Sequence, residues 1–331
     1  MPRVTLLDVA KAAAVSKMTA SRALREHSDV AAETRERVRK VAAEMGYVPN
    51  QMASMLSAKS SLIIPMIIPS ISNSVFADIV AHAQPLLLEA GFQMMLFNTD
   101  YSLDQEEKAI AALMAWSPAA FILSGVDHTE QSKLQLKNAG FPVVEMMDLT
   151  EDPIDLAVGF DHFLAGADMA RYLIGRGYKR FAFCGNQLNM DTRAYKRFVG
   201  FRDTLQANGF IEPSLFNIDE PEGVLTQDVF QSMVNAKDGL DCIYFSNDDL
   251  AISALLLCAR LGISVPDQLA IAGFNDIPLG RQITPRLTTT RTPRGLIGEK
   301  TAQYALDAIK RKEGIPRVLD LKSELVPRES A

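Results

Sequence analysis

The chain is expected to fold as an N-terminal all-α helix-turn-helix headpiece joined to an α/β core of two doubly wound parallel-sheet subdomains. Three observations lead there. Residues 4–26, VTLLDVAKAAAVSKMTASRALRE, hold two helical patterns separated only by a tight turn. From residue 62 short apolar runs alternate with amphipathic stretches, as parallel strands do when helices cover both faces of their sheet. Charge is also unevenly placed. Residues 1–60 carry ten Lys/Arg against six Asp/Glu, +4, which leaves −10 for the rest of a chain whose formal net charge is −6. A cationic head suits contact with a phosphate backbone, and an acidic body is repelled by one.

In the headpiece, Thr5 stands where an N-cap is expected, and Asp8 where a capping box places its acid. Leu6, Val9 and Ala10 then share one helical face. Ala14-Val15-Ser16 makes the turn. Ser16 caps a second helix, whose Val15, Ala20, Ala23 and Leu24 pack back on the first. This leaves Lys17, Met18, Ser21 and Arg22 on the outer face near its N-terminus. Such a helix lies in the DNA major groove, and its first residues reach base edges. A third helix is expected over 31–45, with Val38, Val41 and Ala42 as its core stripe and Gly46 as its stop. Of its basic side chains, Arg35, Arg37, Arg39 and Lys40, some are expected to meet phosphates without reading sequence. Pro49-Asn50 opens NQMASMLSAKSS, where Ala53 and Leu56 share a face. So short a segment does not hold a helix alone, and a linker is expected that is loose off DNA and helical on it.

In the body, strands are expected at 62–69, 93–97, 119–124, 142–146, 179–184, 240–245 and 268–273. Helices are expected near 75–90, 103–115, 129–139, 162–177, 191–208, 225–236 and 247–261. The strand series breaks at 156–161, LAVGFD, where the chain should cross between subdomains. A second crossing is expected near 288–293, followed by a helix near 293–312, and a third near a last strand at 318–326. The headpiece then covers 1–48, the linker 49–61 and the effector-binding core 62–331. The core divides into 62–160 plus 292–322 and 161–291 plus 323–331. Pro65 is an anomaly, because it removes a ladder donor from the first strand.

Ligands of such sheets bind beyond the carboxyl ends of the strands, where helices begin. The residues there are Asn73, Phe76, Asn98 to Tyr101, Ser124, Asp148, Asp161, Asp191 to Arg197, Asn247, Asp248, Asn275 and Asp276. They are rich in groups that hydrogen-bond vicinal hydroxyls, with an aromatic face for a ring or stem. Each also has a structural reading: Asn247 is a good N-cap, and Asn275-Asp276 suits an Asx turn. Their convergence makes a cleft of Asn73, Phe76, Tyr101, Ser124, Asp148, Asp161, Arg193, Arg197, Asn247 and Asn275.

Other classes are weaker readings. No run approaches the ~18 apolar residues of a membrane span, and no apolar leader opens the chain, so a cytoplasmic protein is expected. Cys184, Cys242 and Cys258 show no metal or redox spacing and are expected as buried small hydrophobes, with no metal and no cofactor. His27, His82, His128 and His162 are scattered, and neither a Ser/His/Asp order nor a GxxxxGK[ST] loop is present. A sugar-acting enzyme is therefore disfavoured. A periplasmic sugar receptor would share the cleft but has no use for residues 1–60.

The segments TLLDVAKAAAVSKMTASRAL and AAETRERVRKVAAEMGYVPN resemble the headpiece of the lactose/galactose repressor (LacI/GalR) family nearly end to end. The family pattern is roughly T-L-x-D-V-A-x-x-A-G-V-S-x-x-T-V-S-R, then T-R-x-R-V and G-Y-x-P-N, and the likeness continues through the body. It departs at Ala14, where the family has Gly, and at Ala20, usually Val. The resemblance implies a homodimeric transcriptional repressor on pseudo-palindromic double-stranded operator DNA, with no membrane partner. It implies DNA contacts from Thr5, Ser16, Lys17, Met18, Thr19, Ser21 and Arg22, and from a hinge helix carrying Asn50, Ala53 and Leu56. Leu56 would wedge into the minor groove. In the cleft it assigns Phe76 to an apolar wall, Asp148 to a cleft aspartate, Arg197 to the clamp on the effector's polar end, and Asn247 and Asn275 to the far wall. Asn275 stands where the family commonly has Asp, which makes this site one negative charge lighter. Arg193, Lys196 and Arg197 add a cationic patch. VVEMMD, LAVGFD and NDDLAISA look similar to the family's gluconate-type repressors. A sugar-acid effector such as gluconate or a keto-gluconate is expected, with a phosphorylated sugar acid next.

Overall fold

The computed structural model describes residues 4–24, 29–48, 61–218, 225–235 and 239–331. The chain divides into two compact units, residues 1–61 and 62–331. In the first unit, helices α1 (Leu6–Ala12), α2 (Lys17–Leu24) and α3 (Ala32–Glu44) close around Val9, Ala10, Ala13, Ala20, Ala23, Val30, Val38 and Ala42. Most of these side chains are a single methyl, so the helices can approach closely. The capping box forms: Thr5 Oγ1 accepts from the Asp8 N–H at 3.3 Å, and Asp8 accepts from the Thr5 N–H at 2.9 Å. Ala14 adopts φ 53°, the left-handed conformation that favours glycine. Ser16 then accepts from the Thr19 N–H at 3.0 Å to start α2. Asn50, Ala53 and Leu56 of the expected hinge lie outside the described residues.

In the second unit, β1 (Ile63–Ile68), β2 (Gln93–Asn98), β3 (Phe121–Ser124), β4 (Val143–Met146), β5 (Leu156–Gly159) and β11 (Val318–Asp320) form one parallel sheet, in the order β2-β1-β3-β4-β5-β11. A second parallel sheet joins β6 (Phe181–Asn186), β7 (Ser214–Ile218), β8 (Cys242–Phe245) and β9 (Ala270–Ala272), in the order β7-β6-β8-β9. A two-stranded antiparallel pair, β10 (Thr289–Arg291) with β12 (Glu324–Val326), completes the strands. Helices α4 (Ser74–Glu89), α5 (Leu103–Met114), α6 (Glu130–Lys137) and α11 (Arg294–Ile309) go with the first sheet. Helices α7 (His162–Gly175), α8 (Thr192–Ala207), α9 (Gln227–Val234) and α10 (Asp248–Leu261) go with the second. The strands FILS of β3, VVEM of β4, LAVG of β5 and CIYF of β8 are nearly continuous buried runs, as expected of strands covered on both faces. One apolar cluster runs from Ile64, Met66 and Ile68 through Phe160 and Met169 to Phe183 and Tyr244, so both sheets share a core across α7 and α8.

Helix limits fall within three residues of the expected ones, but the strand reading needs four corrections, the first being that Thr289–Arg291, expected only as a crossing, is itself a strand paired with β12. Residues 156–159 do not break the series: β5 pairs with both β4 and β11, and the crossing follows it at Phe160-Asp161. Ser214–Ile218 is a strand that the reading missed, an edge strand whose only buried residue is Ile218. The single strand expected over 318–326 is two strands in different sheets, because the chain crosses between Asp320 and Glu324. Pro65 is accommodated by register. The Gln93 N–H bonds Leu62 O and the Thr99 N–H bonds Ile68 O, so even-numbered residues of β1 face β2. Pro65 then faces β3, between the Ala119 N–H bond to Ile63 O and the pairing that begins at Met66, so it leaves one donor position of that ladder empty at the start of the pairing. No described helix is long and apolar enough to cross a membrane.

Candidate functional site

On α2 the burial of Ala20 and Ala23 turns Lys17, Met18 and Arg22 to solvent, with Ser21 half-buried beside them. Met18 is 65% exposed, a large apolar side chain with no core to fill. Arg22 lies 3.8 Å from Asp29 in an exposed pair, the kind that contributes little to stability. Thr5, Ser16 and Thr19 hold helix starts: Thr5 Oγ1 bonds Asp8, and the Ser16 and Thr19 hydroxyls lie 2.8 Å apart. Arg35 donates to Val30 O at 3.1 Å and so ties α3 to the preceding turn.

In the body, strand order reverses between β1 and β3 and again between β6 and β8. These are the switch points where the loops after neighbouring strands part and leave a crevice. Two adjoining open clefts lie there. Asn73, Phe76, Tyr101, Arg193, Arg197, Asn247 and Asn275 line the first, and Tyr101, Ser124 and Arg193 line the second. Eight of the ten expected cleft residues are thus brought together. Asp148 and Asp161 are not among the lining residues. Asp148 Oδ2 is held by Lys196 at 2.6 Å and its Oδ1 accepts from the Leu149 N–H, while Asp161 caps α7 through the Leu164 N–H.

Four helices start at this crevice, and each is capped by a side chain read from the sequence: Asn73 on α4, Asp161 on α7, Asp191 on α8 and Asn247 on α10. Asn73 and Asn247 use Oδ1 for the cap; the Asn73 side chain also hydrogen-bonds Tyr101, while the Asn247 amide NH₂ is left to face a ligand. The positive ends of the helix dipoles favour an anion between them. Asp248 and Asp276, also read as candidates, spend their oxygens internally. Asp248 accepts from Thr289 Oγ1 and the Ile277 N–H, and Asp276 is held by Arg281, Arg291 and Arg328.

Arg197 dominates the electrostatics. Its residue is 5% exposed, and its guanidinium lies 4.0 Å over the Phe274 ring. Nη1 donates to His162 Nδ1 at 2.9 Å and Nη2 to Ser246 O at 2.8 Å, but Nε has no partner among the described residues. No carboxylate lies within ion-pair distance of it among the described residues. Burial disfavours its charge, yet an arginine stays protonated. His162 Nε2–H donates to Met147 O at 2.9 Å, so its Nδ1 is the acceptor and the ring is neutral. Burial, then Arg197, hold its pKa well below 6.5. Arg193 donates to Ser124 Oγ at 2.6 Å, lies 5.5 Å over Phe76, and has Asp191 at 3.8 Å. Burial pushes the Tyr101 phenol up to about 12, so it stays a neutral donor.

The close approach of α7 to α8 depends on two glycines. A Cβ at Gly166 would lie 2.0 Å from Arg197 O, and one at Gly200 2.0 Å from Phe163 O. Non-glycine residues with positive φ also gather at the crevice: Tyr101 (60°), Met147 (76°) and Asn275 (116°), a conformation commonly held under strain at ligand sites. Sequence reasoning missed His162, Met147, Ser246 and Phe274. His162 gave a signal, since it follows Asp161 at the first crossing, whereas Met147 acts through its backbone carbonyl and leaves none.

Comparison with known proteins places this architecture. Residues 5–50 match the model described as bacterial regulatory proteins, lacI family, and residues 170–331 match that of a periplasmic binding protein-like domain. The chain is 38% identical to the HTH-type transcriptional regulator GntR of Pseudomonas aeruginosa, over 99% of this chain and 96% of that one. It is 34% identical to the HTH-type transcriptional regulator IdnR of Escherichia coli, over 96% of each. The solved LacI family transcriptional regulator from Silicibacter pomeroyi superposes with a TM-score of 0.93 at 34% identity, over 99% of each chain.

Proposed function

The chain belongs to the lacI family of bacterial regulatory proteins and is a DNA-binding transcriptional repressor, and we propose that a small sugar acid such as gluconate or a keto-gluconate is its effector. The observation that carries this reading is the buried Arg197 guanidinium, which lacks a carboxylate partner among the described residues. An isolated buried charge is unfavourable unless something pairs with it, and a carboxylate entering the crevice would do so. The polyol chain would run past Asn73, Tyr101 and Asn247 toward Ser124 and Arg193, while Phe76 and Phe274 pack on its apolar side.

On DNA, Lys17, Met18 and Arg22 would read bases while other cations of the headpiece meet phosphates. Two copies would form a homodimer, so that two headpieces match the halves of a near-palindrome. Asn50, Ala53 and Leu56 would form the minor-groove hinge. The protein would act in the cytoplasm, where the operator lies. An effector that favours one arrangement of the two subdomains over the other would shift operator affinity.

Calorimetry of the purified protein against gluconate, keto-gluconates, phosphogluconate and neutral sugars tests the effector. Tight binding of a neutral sugar, with silence toward every sugar acid, would overturn it.

A further inference from the structure

An arginine in the crevice does not by itself explain a preference for an acid, because Asp127, Asp148 and Asp191 lie in the same region. Lys196 stands one residue before Arg197 on α8, in the second subdomain, and its ammonium reaches the first. It lies 2.6 Å from Asp148, which follows β4, and 3.0 Å from Asp127, which follows β3. The Asp148 side chain is 3% exposed, and its other oxygen is taken by the Leu149 N–H at 2.8 Å. Neither oxygen is left for a ligand hydroxyl. Burial works against the ammonium, but the two carboxylates outweigh it and hold Lys196 above the usual lysine pKa.

We propose that Lys196 is a specificity-determining residue: by binding Asp148 and Asp127 it makes the crevice accept an anionic polyol and withholds the Asp148 carboxylate from the hydroxyls of a neutral sugar. The proposal rests on the sugar-acid reading. The charged side chains around the site are Arg193, Lys196 and Arg197 against Asp127, Asp148 and Asp191; Glu106, which also lines the crevice, is paired with a protonated His128, and His162 and Tyr101 are neutral. Balanced in this way, they leave Arg197 to meet one further negative charge. Without Lys196 the set becomes net negative, and an incoming carboxylate is repelled in a poorly screened site. Asp148 would at the same time regain Oδ2 as an acceptor, while Oδ1 stays on the Leu149 N–H. Lys196 also bridges the two subdomains. If it served only as a strut, its loss would weaken acidic and neutral ligands alike.

Calorimetry of the full-length protein with gluconate and gluconamide separates these roles, since the two probes share a polyol and differ in the charge of the head. The wild type should favour gluconate. Lys196→Met should bind gluconate at least about tenfold more weakly while gluconamide changes less than about threefold. Lys196→Arg should keep most of the discrimination, and Asp148→Asn added to Lys196→Met should recover much of the gluconate affinity. Equal loss for both probes, or unchanged discrimination in Lys196→Met, overturns the proposal. If the wild type binds no sugar acid, the effector reading falls with it. If the wild type discriminates normally and Lys196→Met does too, only the present inference falls.

Discussion

Arg197 keeps a charge where charge is unfavourable, which predicts opposite effects on binding and stability when it is removed. Charge-assisted hydrogen bonds contribute about 1.5–3 kcal/mol, so Arg197→Met should weaken effector binding roughly 10- to 100-fold. The same change removes an unpaired buried ion, and the ligand-free protein should melt at a higher temperature. A variant that binds normally, or that loses binding only by unfolding, would make Arg197 structural. His128 shows the converse arrangement, a buried ion with partners. It lies 2.6 Å from Glu106 and 3.4 Å from Glu145. Burial alone would lower its pKa, but the two carboxylates outweigh it and lift the value from 6.5 to about 9. The folded chain therefore holds this proton more tightly than the unfolded one. The stabilisation is complete below pH 6.5 and is lost as pH rises through about 9. It amounts to roughly 3 kcal/mol. His128→Gln should be markedly less stable than wild type near pH 6, and the gap should narrow by about pH 10, as urea unfolding at several pH values would show. The sequence disclosed Arg197 through its helix position and the family likeness. It disclosed nothing of His128, because Glu106 and Glu145 are brought to it from α5 and β4 only by the fold.

At the scale of elements, the contact of α7 with α8 sets where Arg197 and His162 meet. A methyl group at Gly166 has no room against the Arg197 carbonyl, so Gly166→Ala should destabilise the body by about 1–3 kcal/mol and also weaken effector binding by moving Arg197. Gly175→Ala is the internal control: nothing lies within 4 Å of a Cβ there, and the change should be neutral or stabilising by up to about 1 kcal/mol. Thermal melts of the two variants decide the matter, and equal behaviour would refute the packing account. In the headpiece the turn holds Ala14 at φ 53°, so Ala14→Gly should stabilise the helix-turn-helix by about 1 kcal/mol, visible as slower amide exchange in α1 and α2. Helices were the most legible elements, because caps such as Asn73, Asp191 and Asn247 announce their starts. Strands were less legible where burial gave no pattern. SLFNI of β7 sits at a sheet edge with one buried residue, and the short β11 and β12 read as one segment because only the sheets they join distinguish them. The cleft was legible as a set of strand ends, yet chemistry alone could not tell Asn247, which lines it, from Asp248, whose oxygens are consumed by Thr289 and Ile277.

For the whole molecule, the separation of charge sets what each unit can do. The +4 of residues 1–60 supplies the attraction to phosphate, and the −10 of the remainder opposes it. Operator affinity should therefore fall steeply with salt, while effector affinity, set in a buried crevice, should change far less. Coupling between the two sites adds a stricter requirement. If the effector changes operator affinity by some factor, commonly about 5- to 150-fold, operator DNA must change effector affinity by the same factor in the same direction. The effector can produce that shift only through unequal affinity for the two subdomain arrangements, so a change that reduces its preference between them must lower both factors together. Titrating effector into the free protein and into its operator complex, and operator into the free and effector-loaded protein, measures all four constants. Their ratios should agree for the wild type and, at a smaller common value, for Lys196→Met. Because the cycle must close, that agreement validates the titrations, and the common value is what tests the idea: a value for Lys196→Met equal to that of the wild type would show that Lys196 has no part in the effector's preference between the two arrangements.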